Sequence, residues 1–299
     1  MKKQIKKIIK KITPKKIIDL YKKNKVNKKR KTRLKIKLQP RNLLKFEVHL
    51  ADHCNLNCIG CNHFSPLAEH IFLDIESFRR DCERISKLSE RKIGELYLLG
   101  GEPLLHPYIN EILNIVGQNF DTHNTGIVTN GVLLFKMTED FWKCCKENKI
   151  KIIITRYPIN LDFTAVEKIA GTYNVQLEYF GNTREITRFM DKIPLDLEGR
   201  QNAVKNFRLC GKSNNCITLK DGKLYTCSLA PHINHFNKYF NKNLQVSESD
   251  YIDIYKANSI SEILLFLTKA IPFCRYCKIQ GLTGGIKWAV TKKEISEWV

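Results

Sequence analysis

Residues 43–61 read LLKFEVHLADHCNLNCIGC. The first eight are rich in β-formers and run straight into a loop that carries three cysteines, at 54, 58 and 61, spaced C-x3-C-x2-C. Outward from this stretch the same unit repeats. LDIESFRRDCERISKL (73–88) has helical spacing with Asp74 as its cap, and GELYLLGGEP (94–103) reads as a buried strand ending in glycines. YINEILNIVGQNF (108–120) is helical, TGIVTNG (125–131) a strand, and MTEDFWKCCKEN (137–148) a helix with Thr138 near its start. IKIIITRYP (150–158), DFTAVEKIAGTY (162–173) and VQLEYFGN (175–182) continue as strand, helix and strand. Short β-branched runs alternating with helices imply βαβ units and a parallel sheet, open or closed into a barrel. In such folds functional groups gather on loops at the strand C-termini. The cysteine loop, GGEP, TNG and TRYP all follow strands and should converge on one end of the sheet.

Beyond about residue 185 the alternation stops. CITLKDGKLYTCS (216–228) reads as a hairpin with Asp221-Gly222 at its turn, and Cys210, Cys216 and Cys227 sit in or around it. Cys274 and Cys277 come from FCRYC. A hairpin alone is too weak to stand, so a small cysteine-held module is expected over 206–282. It follows a core over 44–205 and precedes a tail over 283–299.

Thiolates are soft ligands that suit zinc, copper(I) or iron–sulfur clusters. Structural zinc needs four protein ligands, and His53 or His63 could be the fourth beside the loop's three cysteines. A cubane cluster normally takes four cysteines. Held by three, it leaves one iron open to a substrate or cofactor.

C-x3-C-x2-C directly after a first strand, followed by GGEP at the end of the next, resembles the signature of the radical S-adenosylmethionine superfamily. The resemblance covers roughly residues 44–280. It implies a partial (β/α)6 TIM-like barrel in which Cys54, Cys58 and Cys61 hold a 4Fe–4S cluster, with S-adenosylmethionine chelated at the open iron. The implied chemistry is reductive cleavage to a 5′-deoxyadenosyl radical that abstracts hydrogen from the substrate. Gly100, Gly101 and Glu102 would hold the methionine end, the glycines by letting backbone approach the ligand and Glu102 by accepting from its ammonium. Asn130, Thr155 and Arg156 lie where the family contacts ribose or carboxylate. Where many members carry an aromatic residue before the third cysteine this chain has Gly60, and Phe64 is the candidate replacement. The C-terminal cysteines resemble SPASM/twitch extensions, which implies one auxiliary cluster on Cys210, Cys227, Cys274 and Cys277. Cys216 is then the spare, and the candidate hydrogen donor for a redox-neutral reaction. The same spacing also suits a zinc knuckle. Cys82, Cys144 and Cys145 fall in helices and read as small buried hydrophobes.

The formal charge of +21 is not spread over the chain. Residues 1–45 hold 20 Lys and Arg against one acid, Asp19, a net +19, which leaves +2 for the other 254 residues. Ile5, Ile8, Ile9 and Ile12 make one apolar stripe in the lysine-rich start. A basic amphipathic arm over 1–43 can lie on an anionic membrane surface. Tyr21 is the one aromatic residue before Phe46, so the arm lacks base-stacking platforms, and the near-neutral body argues against nucleic acid. No apolar signal segment precedes the core and eleven cysteines cluster, which fits a reducing, cytoplasmic setting. The resemblance further implies an external electron donor such as flavodoxin or ferredoxin. Its subgroup, associated with bacterial surface-polysaccharide genes, points to a small-molecule or glycan-precursor substrate undergoing oxidation or epimerisation. Peptide modification and a metal-stapled interaction protein are the alternatives.

Overall fold

A computed structural model describes residues 38–121, 124–182, 184–280 and 285–299. The amphipathic-arm reading of 1–43 falls almost wholly outside them. The chain divides into two compact units, 1–39 and 40–299, and all that follows concerns the second.

In chain order the elements are β1 Lys45–Ala51, α1 Ile75–Ser89, β2 Glu95–Gly100, α2 Ile109–Asn119, β3 Thr125–Thr129, α3 Glu139–Glu147, β4 Lys151–Ile154, α4 Phe163–Thr172 and β5 Leu177–Tyr179. Then come β6 Phe189–Met190, α5 Ala203–Leu209, β7 Thr218–Lys220, β8 Lys223–Tyr225, α6 Ile233–Phe240, β9 Tyr251–Asp253, α7 Ile260–Phe266 and β10 Ile286–Lys287. The helix starts are fixed by side-chain caps. Asp74 accepts from the Ser77 N–H at 2.9 Å, Asp162 from Ala165 at 3.0 Å and Asn202 from Lys205 at 2.8 Å, each satisfying a donor that the first turn leaves open. Thr138 precedes α3 as expected but makes no side-chain cap bond.

The main sheet runs β5-β4-β3-β2-β1-β7-β8-β9. Its strands are parallel from β5 through β1 to β7, and antiparallel from β7 to β9. The α/β parallel architecture is therefore present, with a rearranged sixth strand. The Asp221-Gly222 hairpin does not stand apart. Its first strand, β7, pairs with β1 in parallel register, Glu47 opposite Thr218 and Val48 opposite Leu219. Pairing with a central strand supplies support that a lone hairpin lacks.

The two faces of the sheet differ. Phe46, Val48 and Leu50 of β1, Leu96 and Leu98 of β2, Ile127 of β3 and Ile152 and Ile154 of β4 join one core with Phe78, Cys82, Ile85, Ile112, Trp142 and Cys145 of the covering helices. The alternate positions are largely polar: Lys45, Glu47 and His49 on β1, Glu95 and Tyr97 on β2, Lys151 on β4, Glu178 on β5, and Thr218 and Lys220 on β7. Lys45 pairs with Glu95, Lys151 with Glu178 at 3.0 Å, and Thr218 with Glu47 at 3.2 Å. Parallel strands are usually buried and apolar on both faces. Here the inner face is a polar trough whose Glu47, His49 and Thr218 are buried.

A second core lies around the C-terminal cysteines. Cys227, Cys274 and Cys277 are buried in it with Phe207, Phe236, Phe273 and Leu195. It also draws in Phe64 and Leu67 from beyond the cysteine loop and Trp298 from the chain's last residues.

Candidate metal and cofactor site

The cysteine loop leaves the C-terminal end of β1 and is folded by two residues of positive φ, Asn57 at 49° and Gly60 at 59°. At Gly60 the left-handed φ itself disfavours a side chain, and an added Cβ would also sit 3.0 Å from Glu297 O. Phe64 does not supply an aromatic ring there. It is buried against Phe236 in the second core, with ring centroids 5.8 Å apart.

The aromatic groups at the loop are others. Trp288 donates its indole N–H to Cys58 Sγ at 3.1 Å, and Tyr157 of TRYP stands 6.1 Å from the Trp288 ring. The final segment wraps the loop. Ile59 N–H donates to Ala289 O at 2.9 Å, Thr291 N–H to Asn57 O at 2.9 Å, and the Trp298 indole to Cys61 O at 2.9 Å. Sequence reading treated 283–299 as a plain tail. Its two tryptophans in so short a polar stretch were the available signal.

GGEP closes the site from β2, by contacts different from those expected. Gly101 N–H donates to Ala51 O at 2.8 Å and Glu102 N–H to His53 O at 3.1 Å. A Cβ on Gly100, whose φ is +145°, would sit 2.3 Å from Ala51 O, and one on Gly101 2.0 Å from His53 O. The glycines are required by the backbone leading to Cys54, before any ligand is considered. Glu102 is likewise not reaching outward. It is fully buried and accepts from the Thr129 hydroxyl at 2.6 Å, the Asn130 N–H at 3.0 Å and the Leu104 N–H at 3.2 Å. The carboxylate ties GGEP to TNG.

Asn130 meets the loop directly. Its amide donates to Asn55 Oδ1 at 2.7 Å and lies 3.9 Å from Cys54 Sγ. Thr155 continues β4, its N–H bonded to Thr129 O at 2.9 Å. Arg156 faces away from the expected ligand contact. Its guanidinium lies 4.4 Å from the Phe163 ring centroid and 5.6 Å from that of Tyr179, and it donates to Arg184 O. Turning it toward a ligand would cost these cation–π contacts.

The donor set decides between the metals considered. A zinc tetrahedron with Zn–S near 2.3 Å places its sulfurs ~3.8 Å apart. No three of the eleven cysteine sulfurs lie within 4.8 Å of one another. The two histidines nearest the loop in sequence have other neighbours. His63 Nδ1 lies 3.3 Å from Gly100 O, and His53 stacks on His70 with ring centroids 4.3 Å apart. Three thiols on one loop, spread wider than zinc requires, fit the larger cubane. Burial pushes the Cys54 thiol up to about 12 and Cys58 up to about 11, so both keep their protons at neutral pH until a metal displaces them.

At the second core, Cys227, Cys274 and Cys277 are buried and Cys210 is half-buried. The Asn206 amide bridges Cys274 O, at 2.9 Å, and Cys277 O. Cys216 lies on the trough side, where burial, then the neighbouring Glu47 carboxylate, push its thiol up to about 12. Cys82, Cys144 and Cys145 pack in the main core, as expected.

Burial also pushes the Glu47 carboxyl in the trough up to about 7, against the Thr218 bond and the Lys212 and Lys45 charges. With its unfolded value at 4.5, the folded chain binds the extra proton between the two. Glu47 therefore stabilises fully below about pH 4.5, and that contribution is lost as pH rises through about 7. The loss is about 3 kcal/mol. Glu102, raised to about 7 by the same burial, acts with the same sign. Buried histidines such as His63 and His232, with lowered proton affinity, act with the opposite sign. Compared with wild type, Glu47→Gln should therefore lose about 3 kcal/mol less stability between about pH 5 and pH 8 in thermal denaturation. Identical pH slopes would refute the assignment.

No family model matches the chain. Two GTP 3′,8-cyclases share sequence with it. The Synechocystis enzyme is 35% identical over 97 residues, 31% of this chain and 28% of that protein. The Desulforamulus reducens enzyme is 31% identical over 108 residues, 34% and 32% of the two chains. The chain thus spans about a third of the length of the curated relatives it matches. Among solved structures, BtrN in complex with AdoMet and 2-DOIA aligns over 80% of this chain and 94% of its own, with TM-score 0.47 and 16% identity. Native anSMEcpe with bound AdoMet aligns over 78% and 90%, with TM-score 0.43 and 13% identity.

Proposed function

We propose that this chain is a radical S-adenosylmethionine enzyme acting on a small polar substrate held in the trough of its open barrel. The observation that carries the reading is the cysteine loop: three thiols at the end of β1, beside Asn130 and the GGEP backbone, spread wider than a zinc site. The local likeness to GTP 3′,8-cyclases supports the same reading. Cys54, Cys58 and Cys61 would hold a 4Fe–4S cluster, and Gly100, Gly101, Asn130 and Thr155 would border the bound S-adenosylmethionine. When bound, cluster and cofactor would supply a carbon-centred radical able to take hydrogen from an unactivated C–H bond.

The chain's own residues do the rest. Trp288 holds Cys58 by its N–H, and hydrogen bonds to cluster sulfurs are one lever on potential. The last segment covers the loop and limits solvent. The trough offers carboxylates and ammonium groups in pairs, suited to a hydroxylated molecule of the carbohydrate or glycan-precursor class. Cys210, Cys227, Cys274 and Cys277 would hold an auxiliary cluster, and an external flavodoxin- or ferredoxin-type donor would supply the electron. The neutral Cys216 thiol is the proposed hydrogen donor. Turnover unchanged in Cys216→Ala would remove it from that role.

Electron paramagnetic resonance of the dithionite-reduced, reconstituted protein tests the main reading. Adding S-adenosylmethionine should shift the cluster signal in wild type. A signal indifferent to it would rule out an open iron.

A further inference from the structure

We propose that His49, Asp52 and His232 form a mononuclear site for a divalent first-row transition-metal ion, separate from the cysteine centres. His49 is on the inner face of β1, Asp52 follows that strand's end, and His232 ends the short turn before α6. His49 Nδ1 lies 3.5 Å and His232 Nδ1 3.6 Å from the same oxygen, Asp52 Oδ1. The three ligand atoms all fall within 4.8 Å of one another. Bonds of ~2.1 Å in a tetrahedron give edges of ~3.4 Å, close to the two nitrogen–oxygen separations observed.

An independent observation points the same way. His49 is 7% exposed and His232 fully buried, and His49 Nδ1, one of the three ligand atoms, has no polar neighbour nearer than Asp52 Oδ1 at 3.5 Å. Buried polar atoms left unmade cost ~1–3 kcal/mol each, and two imidazoles around one carboxylate oxygen are a natural metal donor set. The carboxylate is also held as ligating carboxylates are. Its other oxygen, Oδ2, accepts from His235 Nε2 at 3.0 Å, which leaves Oδ1 for the ion. Desolvation lowers the affinity of both His49 and His232 for protons, which keeps the imidazoles in their ligand form.

Two adjustments accompany binding. The rings, stacked with centroids 3.7 Å apart and 12° between planes, must tilt so that each lone pair meets the ion. Lys220 Nζ, 3.4 Å from His232 Nδ1, must swing away, as its partly exposed side chain permits. Two imidazoles and one carboxylate leave coordination positions open, and hydroxyl or carboxylate oxygens of a trough-bound molecule would take them.

The test uses full-length protein reconstituted anaerobically with iron and sulfide, so that the cysteines are occupied, then dialysed against Zn2+. Wild type should retain one extra zinc per chain, with an X-ray absorption spectrum of nitrogen and oxygen neighbours and no Zn–S shell near ~2.3 Å. His49→Ala/His232→Ala should weaken zinc binding beyond the ~10–100-fold typical of a lost outer partner, with iron content unchanged. Lys220→Met, which keeps all three ligands and removes the competing cation, should bind zinc at least as tightly as wild type. No retained zinc in wild type, a sulfur shell, or equal binding by the double variant would overturn the proposal. Iron and zinc are counted separately, so the site can fail while the radical reading stands, and the reverse. If the double variant loses iron through misfolding, the wild-type spectrum and Lys220→Met still decide.

Discussion

Gly101→Ala is expected to lower the melting temperature by about 6–12 °C and to strip iron from the cysteine loop. The added Cβ would lie 2.0 Å from His53 O and 2.3 Å from His53 C. These are backbone atoms, so no rotamer relieves the clash. The 51–54 backbone must move, and Cys54 moves with it. Overpacking of this kind costs about 3 kcal/mol or more, and a unit of this size loses ~2–4 °C per kcal/mol. Gly171→Ala is the control. It lies in α4 with nothing within 4 Å of the added atom, where alanine should be neutral or stabilise by up to ~1 kcal/mol. Equal melting temperatures and iron contents for Gly101→Ala and wild type would contradict the packing described at the end of β2.

Glu102→Ala should be as damaging, by another route. It removes the acceptor for the Thr129 hydroxyl and the Asn130 and Leu104 N–H groups, all within the buried joint between GGEP and TNG. Each buried donor left unmade costs ~1–3 kcal/mol, and the truncated side chain adds a cavity. A total of about 4 kcal/mol or more is expected, read as a fall in denaturation midpoint without any S-adenosylmethionine present. Glu102→Gln, which keeps one acceptor oxygen, should fall between wild type and alanine. The pair separates bracing from ligand contact. If Glu102→Ala instead kept wild-type stability and lost only cofactor affinity, the carboxylate would be a ligand group after all.

Much of this architecture was legible in the chain. β-branched runs alternating with helical spacing gave the elements in order, Asp74 marked a helix start, and Asp221-Gly222 marked the hairpin turn. These signals are local, carried by caps, turns and periodicity. The pairing of β7 with β1 was not legible, because register between strands about 170 residues apart is set by the assembled sheet. The polar trough was partly visible. KFEVHL alternates lysine, glutamate and histidine with phenylalanine, valine and leucine, a period of two that marks one apolar and one polar face. The three-cysteine loop was read directly because its spacing is short and its residue type distinctive. The packing partners of Glu102, Arg156 and Phe64 were not legible, for a common reason. Motif position fixes where a residue lies along the chain, but its partners come from Thr129, Phe163 and Phe236 on other elements. The wrapping by Trp288 and Trp298 comes from the far end of the sequence and has no periodic signature.

The most direct measurement is 5′-deoxyadenosine formation by the anaerobically reconstituted protein given dithionite and S-adenosylmethionine, with iron and zinc counted in the same samples. Wild type is run beside a Cys54→Ala/Cys58→Ala/Cys61→Ala variant. Deoxyadenosine from wild type alone, with about one cubane's iron more than the variant holds, is the predicted result. Zinc at the loop cysteines of wild type, with no cleavage by either protein, would contradict the account and leave a metal-stapled binding protein.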